Sequence, residues 1–457
     1  MKRGSLPGRG SLSRMRESET GKLFGDSAYA AVWQAAISVA DLVQIVLITH
    51  ALGLDDYGRL ALAIGFVVLV GQLFDLRVGV ATTIAGAAHL HRDNERAAGV
   101  FQLGYGVDAV TGLLGFAVVA ALAPFVGPAL IGDGGTVLII LYALVLLAQT
   151  VDESSFTVLR LLDRFRLIAT YTVVLEAGRV ALVAGALAVY GTITSVAVAL
   201  VAHRVLAGAA AAAAAAGVFR RVTGVRLTSL ALAKAREDRP QLLRTMLHTN
   251  VVSYARLAQT QLPTVLVGAL AGATQAGVYK VGMAAAVMVG RIIDPAYAAL
   301  LPRLSRLWSA GRRGEIRRLV RRLSTVAIPA VMALAGALIL LRTPVLDALG
   351  GAQASADAGP VLIFGTLAHA LNASLLWNVP ALYAAGRANL VSRLAMAAAA
   401  AQLLALFPLV DAYEASGAAL SLLISMLVLN LGATIYALGA LRDAPSIPVA
   451  PAAGATR

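Results

Sequence analysis

Six ionisable residues stand deep inside long apolar runs, where an unpaired charge is costly: Asp108, Glu176, Arg179, Arg204, Arg256 and His369. Groups of this kind turn toward a partner or a wet cavity, so each is a candidate site. A guanidinium can hold two oxygens of a phosphate or carboxylate at once. For Arg256 two readings stay open, a cationic contact for an anionic substrate or an interhelical salt bridge, and Arg204 joins it as a cavity candidate. Glu176 and Arg179 are three residues apart, which puts them on one helical face as an intrahelical pair, with ion coupling by Glu176 as the other reading. Asp41 has no Lys or Arg in its own run, so it either couples an ion or pairs with Arg256 or Arg291.

Neutral and peripheral polar groups extend this set. Gln44 lies one turn after Asp41, and Gln259 and Gln261 occupy a comparable depth in the seventh run, so all three are candidates to line a path. Arg291 is a further cavity candidate, although it and Lys280 also read as interfacial anchors reaching toward water. Asp75 and Asp294 fall near the far ends of continuous runs and are expected to pair or to close a gate. His369 stands alone in its run, His203 precedes Arg204, and there is no cysteine, so no metal and no cofactor is expected.

The elements that must position these groups follow from composition. The chain is 59% hydrophobic and 14% charged, with a mean hydropathy of +0.79, which excludes a soluble globular protein. Apolar stretches of spanning length occur at 26–51, 57–86, 98–124, 136–159, 168–190, 193–219, 245–271, 276–300, 321–342, 359–384, 389–410 and 416–441. An all-α bundle of about twelve transmembrane helices is therefore expected, with both termini on one side. Alternate connections carry the basic residues: Arg92 and Arg96, then Arg160, Arg164 and Arg166, then seven between 220 and 244, eight between 303 and 322, and finally Arg387 and Arg393. The intervening connections carry at most one each, Arg59, Lys280 or Arg342. Positive charge marks the cytoplasmic side, so both ends are expected in the cytoplasm of an inner (plasma) membrane protein. The net charge of +14 then reports orientation on anionic lipid rather than a nucleic-acid partner.

Organisation follows the same map. Residues 1–24 are basic but lack an apolar core before a cleavage site, and read as a disordered cytoplasmic tail. Six spans over 25–219 form one lobe, 220–244 a cytoplasmic linker, six spans over 245–441 a second lobe, and 442–457 a cytoplasmic tail. The run from Arg312 to Arg322 is expected to lie along the inner surface, holding anionic membrane lipid. A shift of 219 residues (272 − 53) aligns Gly53 with Gly272, Gly58 with Gly277, Gly71 with Gly290 and Asp75 with Asp294. Six spans per copy make the copies parallel repeats, an arrangement that puts a substrate path between two lobes.

The segment Ala51–Ala63, with Tyr57-Gly58 inside it, followed by Phe74-Asp-Leu-Arg-Val-Gly79, resembles the first hairpin of polysaccharide biosynthesis flippases of the Wzx type. Those belong to the superfamily of MATE antiporters and lipid II flippases. In the second half the Tyr follows the Gly, as Gly277-Val-Tyr279, and Ile293-Asp294-Pro295 replaces the close. The resemblance implies a V-shaped two-lobed bundle that moves a lipid-linked (polyprenyl-diphosphate) oligosaccharide from the inner to the outer leaflet by alternating access, beside a polysaccharide polymerase or glycosyltransferases. A MATE-type drug exporter is the alternative. The loop Gly86–Gly99 lacks the major-facilitator pattern, two helices are missing for a lipid II flippase, and short outward loops disfavour an enzyme. A scaffold would leave the buried ions without a purpose.

Overall fold

The computed structural model describes residues 9–76, 78–227, 232–240, 242–246, 259–291 and 294–442, and its ordered elements are helices throughout. In chain order these are α1 (Arg9–Phe74), α2 (Val78–His89), α3 (Asn94–Leu130), α4 (Gly135–Gln149), α5 (Asp152–Leu161), α6 (Phe165–Tyr190) and α7 (Ile193–Thr223). There follow α8 (Leu262–Ala271), α9 (Ala273–Arg291), α10 (Asp294–Ser309), α11 (Arg313–Leu340), α12 (Arg342–Asp357), α13 (Gly359–Ser374), α14 (Asn378–Ala384) and α15 (Ala388–Arg442). Among the described residues eight helical stretches are long and apolar enough to cross a membrane, and two of them, Ala31–Phe74 and Ala388–Leu441, are of double length. The first bends at Gly53 and the second at Glu414. Divided at those bends they give ten crossings among the described residues, beside the shorter apolar α8 and the helices α9 and α10.

Several expected boundaries move. Helix α1 starts at Arg9, inside the segment expected to be a disordered tail. The basic run Arg312–Arg322 does not lie apart from the ninth span: from Arg313 it forms the first turns of α11 itself. Residues 342–357, expected as an outward turn, form α12. Asp75 does not sit within a continuous helix but in the gap between α1 and α2, and its repeat mate Asp294 is the first residue of α10. Pro295, right behind Asp294, suits a helix start because its missing N–H has no intrahelical acceptor there. The fourth span likewise breaks at Thr150–Val151, between α4 and α5.

The chain divides into two compact units that do not follow chain order. The first comprises 1–47, 74–119 and 141–250. Its core at one end is Phe101 of α3 set edge-on against Phe219 of α7, with ring centroids 5.8 Å apart, among Val158, Leu159 and Ile168. The second unit comprises 48–73, 120–140 and 251–457, so the C-terminal half of α1 packs inside it with α8 and α9.

That packing explains the duplicated glycines. Gly53 and Gly272 take nearly the same left-handed conformation, φ/ψ of 85°/173° and 91°/172°, which an L side chain resists and which bends both copies at one position. Five residues on, Gly58 and Gly277 face one another: a Cβ on Gly58 would stand 1.9 Å from the Ala273 carbonyl oxygen, and one on Gly277 would stand 2.4 Å from that of Leu54. Thr274 Oγ1 donates to Asp55 Oδ1 at 2.8 Å, a bond between repeat mates 219 residues apart. Residues related by the duplication therefore meet one another.

Candidate functional site

The interior of the first unit gathers charge at the fourth-span break. Residues Asp152 and Glu153 open α5, where exposed N–H groups of the first turn favour carboxylates. Gly208 of α7 lets that helix come close, since a Cβ there would lie 2.8 Å from the Ala148 carbonyl oxygen and 3.4 Å from Asp152 Oδ1. Four residues earlier on α7, Arg204 Nη2 forms an ion pair with Asp152 Oδ2 at 3.0 Å. On α6, Arg179 Nη2 reaches Glu176 Oε2 at 2.7 Å and Asp41 Oδ1 of α1 at 2.8 Å. Both arginines bear electrostatically on His203 and on Tyr142 of α4, and Arg204 also bears on Glu176, so the two ion-paired groups form one cluster.

The cluster is not saturated. Arg179 Nε, Arg204 Nε, Asp152 Oδ1 and His203 Nε2 are all buried without a hydrogen-bond partner. A buried charged N–H left unmade costs about 1–3 kcal/mol or more, so the two Nε–H groups stand ready for an acceptor. Toward α3 the polar ground continues: Ser154 Oγ donates to Asp108 Oδ2 at 2.6 Å, and Tyr105 and Ser155 share a hydrogen bond of 2.8 Å. Gly79 of α2 makes room for Glu153, whose Oε1 a Cβ would meet at 2.3 Å. Asp75, exposed in the α1–α2 gap, and Glu153 both act on Asp108 by charge.

The structure brings some predicted residues together and leaves others apart. Asp41, Glu176, Arg179 and Arg204 belong to the cluster, where Arg179 pairs with Asp41. Gln44, next to it on α1, keeps an unpartnered Oε1. Gln259 belongs to the second unit, where its Nε2 donates to Ser425 Oγ at 3.0 Å and its carbonyl accepts from Gln402 at 3.5 Å. Gln261, beside it, has an unpartnered Oε1. Arg291 closes α9 within electrostatic reach of His369. Arg256 and the side chain of Asp294 lie outside the described residues.

Two parts of the site were not singled out from sequence. Asp152 is one; the signal was a run of four polar residues, Asp152-Glu153-Ser154-Ser155, within an apolar stretch. The other is the central connection. Asp238 accepts two hydrogen bonds from Arg96, Nε at 2.8 Å and Nη2 at 3.1 Å, and a third contact from His89 Nε2 at 3.2 Å. The Arg96 bonds hold the Asp238 carboxyl below the usual aspartate range. Behind this latch, Ala235, Leu242 and Met246 pack on Val78, Ala81 and Val100, so the connection is strapped to α2 and α3.

Solved structures resemble this fold over most of their length. An inward-facing multidrug resistance MATE family transporter of the MOP superfamily superposes with a TM-score of 0.72 at 13% identity, covering 89% of this chain and 94% of that one. The lipid II flippase MurJ in an inward closed conformation gives 0.67 at 13% identity, with 90% and 88% covered. A MOP superfamily transporter from Pyrococcus furiosus, whose binding pocket is described as of reverse polarity, gives 0.61 at 14% identity, with 91% and 92% covered. No curated protein matches the sequence. The fold is that of MATE and MurJ proteins, and its long apolar helices are those of a multi-pass membrane protein. The sequence profile described as polysaccharide biosynthesis protein matches residues 24–308, more than half of the chain, and the chain belongs to that family.

Proposed function

We propose that the chain carries a polyprenyl-diphosphate-linked oligosaccharide from the inner to the outer leaflet, for cell-surface polysaccharide synthesis. The observation that supports this most is the pair of half-buried arginines, each neutralised along one edge by carboxylates and each keeping a buried, unused Nε–H. A guanidinium presents five N–H donors in a plane, so a diphosphate can join its coordination without first stripping the carboxylate. Replacing water around the phosphates in this way lowers the desolvation barrier that opposes passage of the head group. The polyprenyl tail stays in lipid throughout.

On this reading the repeats 25–219 and 245–441 act as two like-oriented lobes, both termini are cytoplasmic, and the membrane is the inner (plasma) membrane. The bond between Asp55 and Thr274 and the Gly58–Gly277 crossing join the two copies of the repeat inside the second unit. Asp41, Glu176 and Asp75 stand as coupling or gating groups, since a proton taken by a carboxylate would release its arginine. A polymerase or glycosyltransferases stand on either side of the step. Export of a cationic drug by a MATE-type cycle is the second reading, favoured by the excess of carboxylates over arginines in the cluster. The two separate on depletion of the protein in growing cells. The proposal expects lipid-linked oligosaccharide to accumulate in a form shielded from an externally added glycosidase. Unchanged lipid-linked sugar together with rising sensitivity to lipophilic cations would favour drug export.

A further inference from the structure

Within the second unit, one end is lined by arginine alone. Between residues 300 and 325 and between 385 and 395 the sequence places ten arginines, no lysine and one acid, Glu315. Glu315 is taken by Arg312, and Arg313 lies flat over the Trp308 ring, 3.3 Å from its centroid. Arg317 donates to the Leu441 carbonyl, which ties α11 to the end of α15. Arg318, Arg321 and Arg322 are exposed and have no ion pair among the described residues. Beneath them Ile316, Val320, Leu304, Trp377, Leu382 and Leu441 form one apolar core, so the arginines are mounted on a rigid base.

The character of the exposed face changes along the axis of α11. Ile328 and Met332 lie seven and eleven residues after Arg321, hence on the same side of the helix, and are 39% and 51% exposed. Arginine thus gives way to bare hydrocarbon within about 10 Å along the helix. The neighbouring α10 makes the same change in the opposite chain direction, exposing Tyr297 and Leu301 and then Arg303 and Arg306. Across the α14–α15 turn, Arg387 and Arg393 are exposed before the bare side chain of Met396. Three helices, α10, α11 and α15, therefore switch from apolar to arginine at one end. Such a switch marks the edge of the hydrocarbon slab, where lipid phosphates lie.

We infer that this arginine face is a binding surface for anionic phospholipid, with Arg317, Arg318, Arg321 and Arg322 taking phosphodiester oxygens. Lipid is the occupant the geometry fits, because the guanidiniums adjoin the apolar face that acyl chains already cover. A soluble acidic partner would meet only one side of them. Arginine suits the task better than lysine because its fork matches two phosphate oxygens.

The test uses the full chain in neutral detergent, titrated with phosphatidylglycerol or phosphatidylcholine while thermal unfolding is followed by tryptophan emission, which Trp308 and Trp377 report from the core below. The expected result is a saturable rise in Tm with phosphatidylglycerol only, weakened by salt. In R317Q/R318Q/R321Q/R322Q the half-saturating concentration should rise by about a hundredfold. The lysine version R317K/R318K/R321K/R322K keeps the charge and should retain most of the response, so a folding defect in the glutamine protein leaves a readable comparison. An equal response of the glutamine and native proteins overturns the inference. So does a rise in Tm with poly-glutamate that phosphatidylglycerol does not reproduce, which would point to an acidic protein partner instead.

Discussion

Arg179 is the residue on which the buried charge balance turns, since it answers both Asp41 and Glu176. Replacing it with Ala takes the guanidinium away from both carboxylates. The variant is expected to lose about 3 kcal/mol of stability, measured as a fall in thermal unfolding temperature in detergent, while combining Asp41→Asn and Glu176→Gln with Arg179→Met recovers most of the loss. An equal fall in both would mean that the cluster is not held by charge. Asp238 gives a pH signature outside the membrane. Its folded pKa is depressed, so the latch to Arg96 is fully present above the unfolded aspartate value and is lost as pH falls through the depressed one. Hydrogen exchange of residues 232–246 should stay slow at about pH 5 and accelerate only below about pH 4, and Asp238→Asn should exchange fast at both. The intrahelical pair Glu176–Arg179 was legible in the sequence because three residues fix a shared face. The link from Arg204 to Asp152 was not, because it joins α7 to a helix start that no periodicity announces.

Among the elements, the crossings were legible and the breaks were not. Length and hydropathy suffice for a span, whereas the gaps after Phe74 and before Asp152 depend on what packs behind them. The glycines show both sides of this. Their spacing betrayed a duplication, but only the fold shows that Gly58 and Gly277 are the point where the copies touch. Gly58→Ala puts a methyl group 1.9 Å from a backbone oxygen that has nowhere to go. A loss of about 1–3 kcal/mol, at the upper end of overpacking, is expected in thermal unfolding. Gly178, with open space around it, should accept Ala with no loss, and serves as the control. If the copies must part at this crossing during transport, cysteines at positions 55 and 274 joined as a disulfide should abolish flux reversibly on reduction. Full flux in the cross-linked protein would show that this crossing never opens.

For the whole molecule, the length and hydropathy of the apolar runs carried the helical membrane fold, and a resemblance at one hairpin carried the family. What the sequence left hidden is the regrouping of the chain: the second half of α1 and the join of α3 to α4 pack with the C-terminal residues. Long-range packing of this kind has no local signature. The central claim is transport of a lipid-linked sugar, and purified protein in vesicles tests it most directly. A fluorescent polyprenyl-diphosphate disaccharide is placed in the inner leaflet, and its arrival outside is followed by quenching. The prediction is a flux well above that of protein-free vesicles, reduced at least about tenfold by Arg204→Gln, where one hydrogen-bonded charge contact of about 1.5–3 kcal/mol is removed. Flux no greater than in protein-free vesicles, in protein shown to be folded, would contradict it.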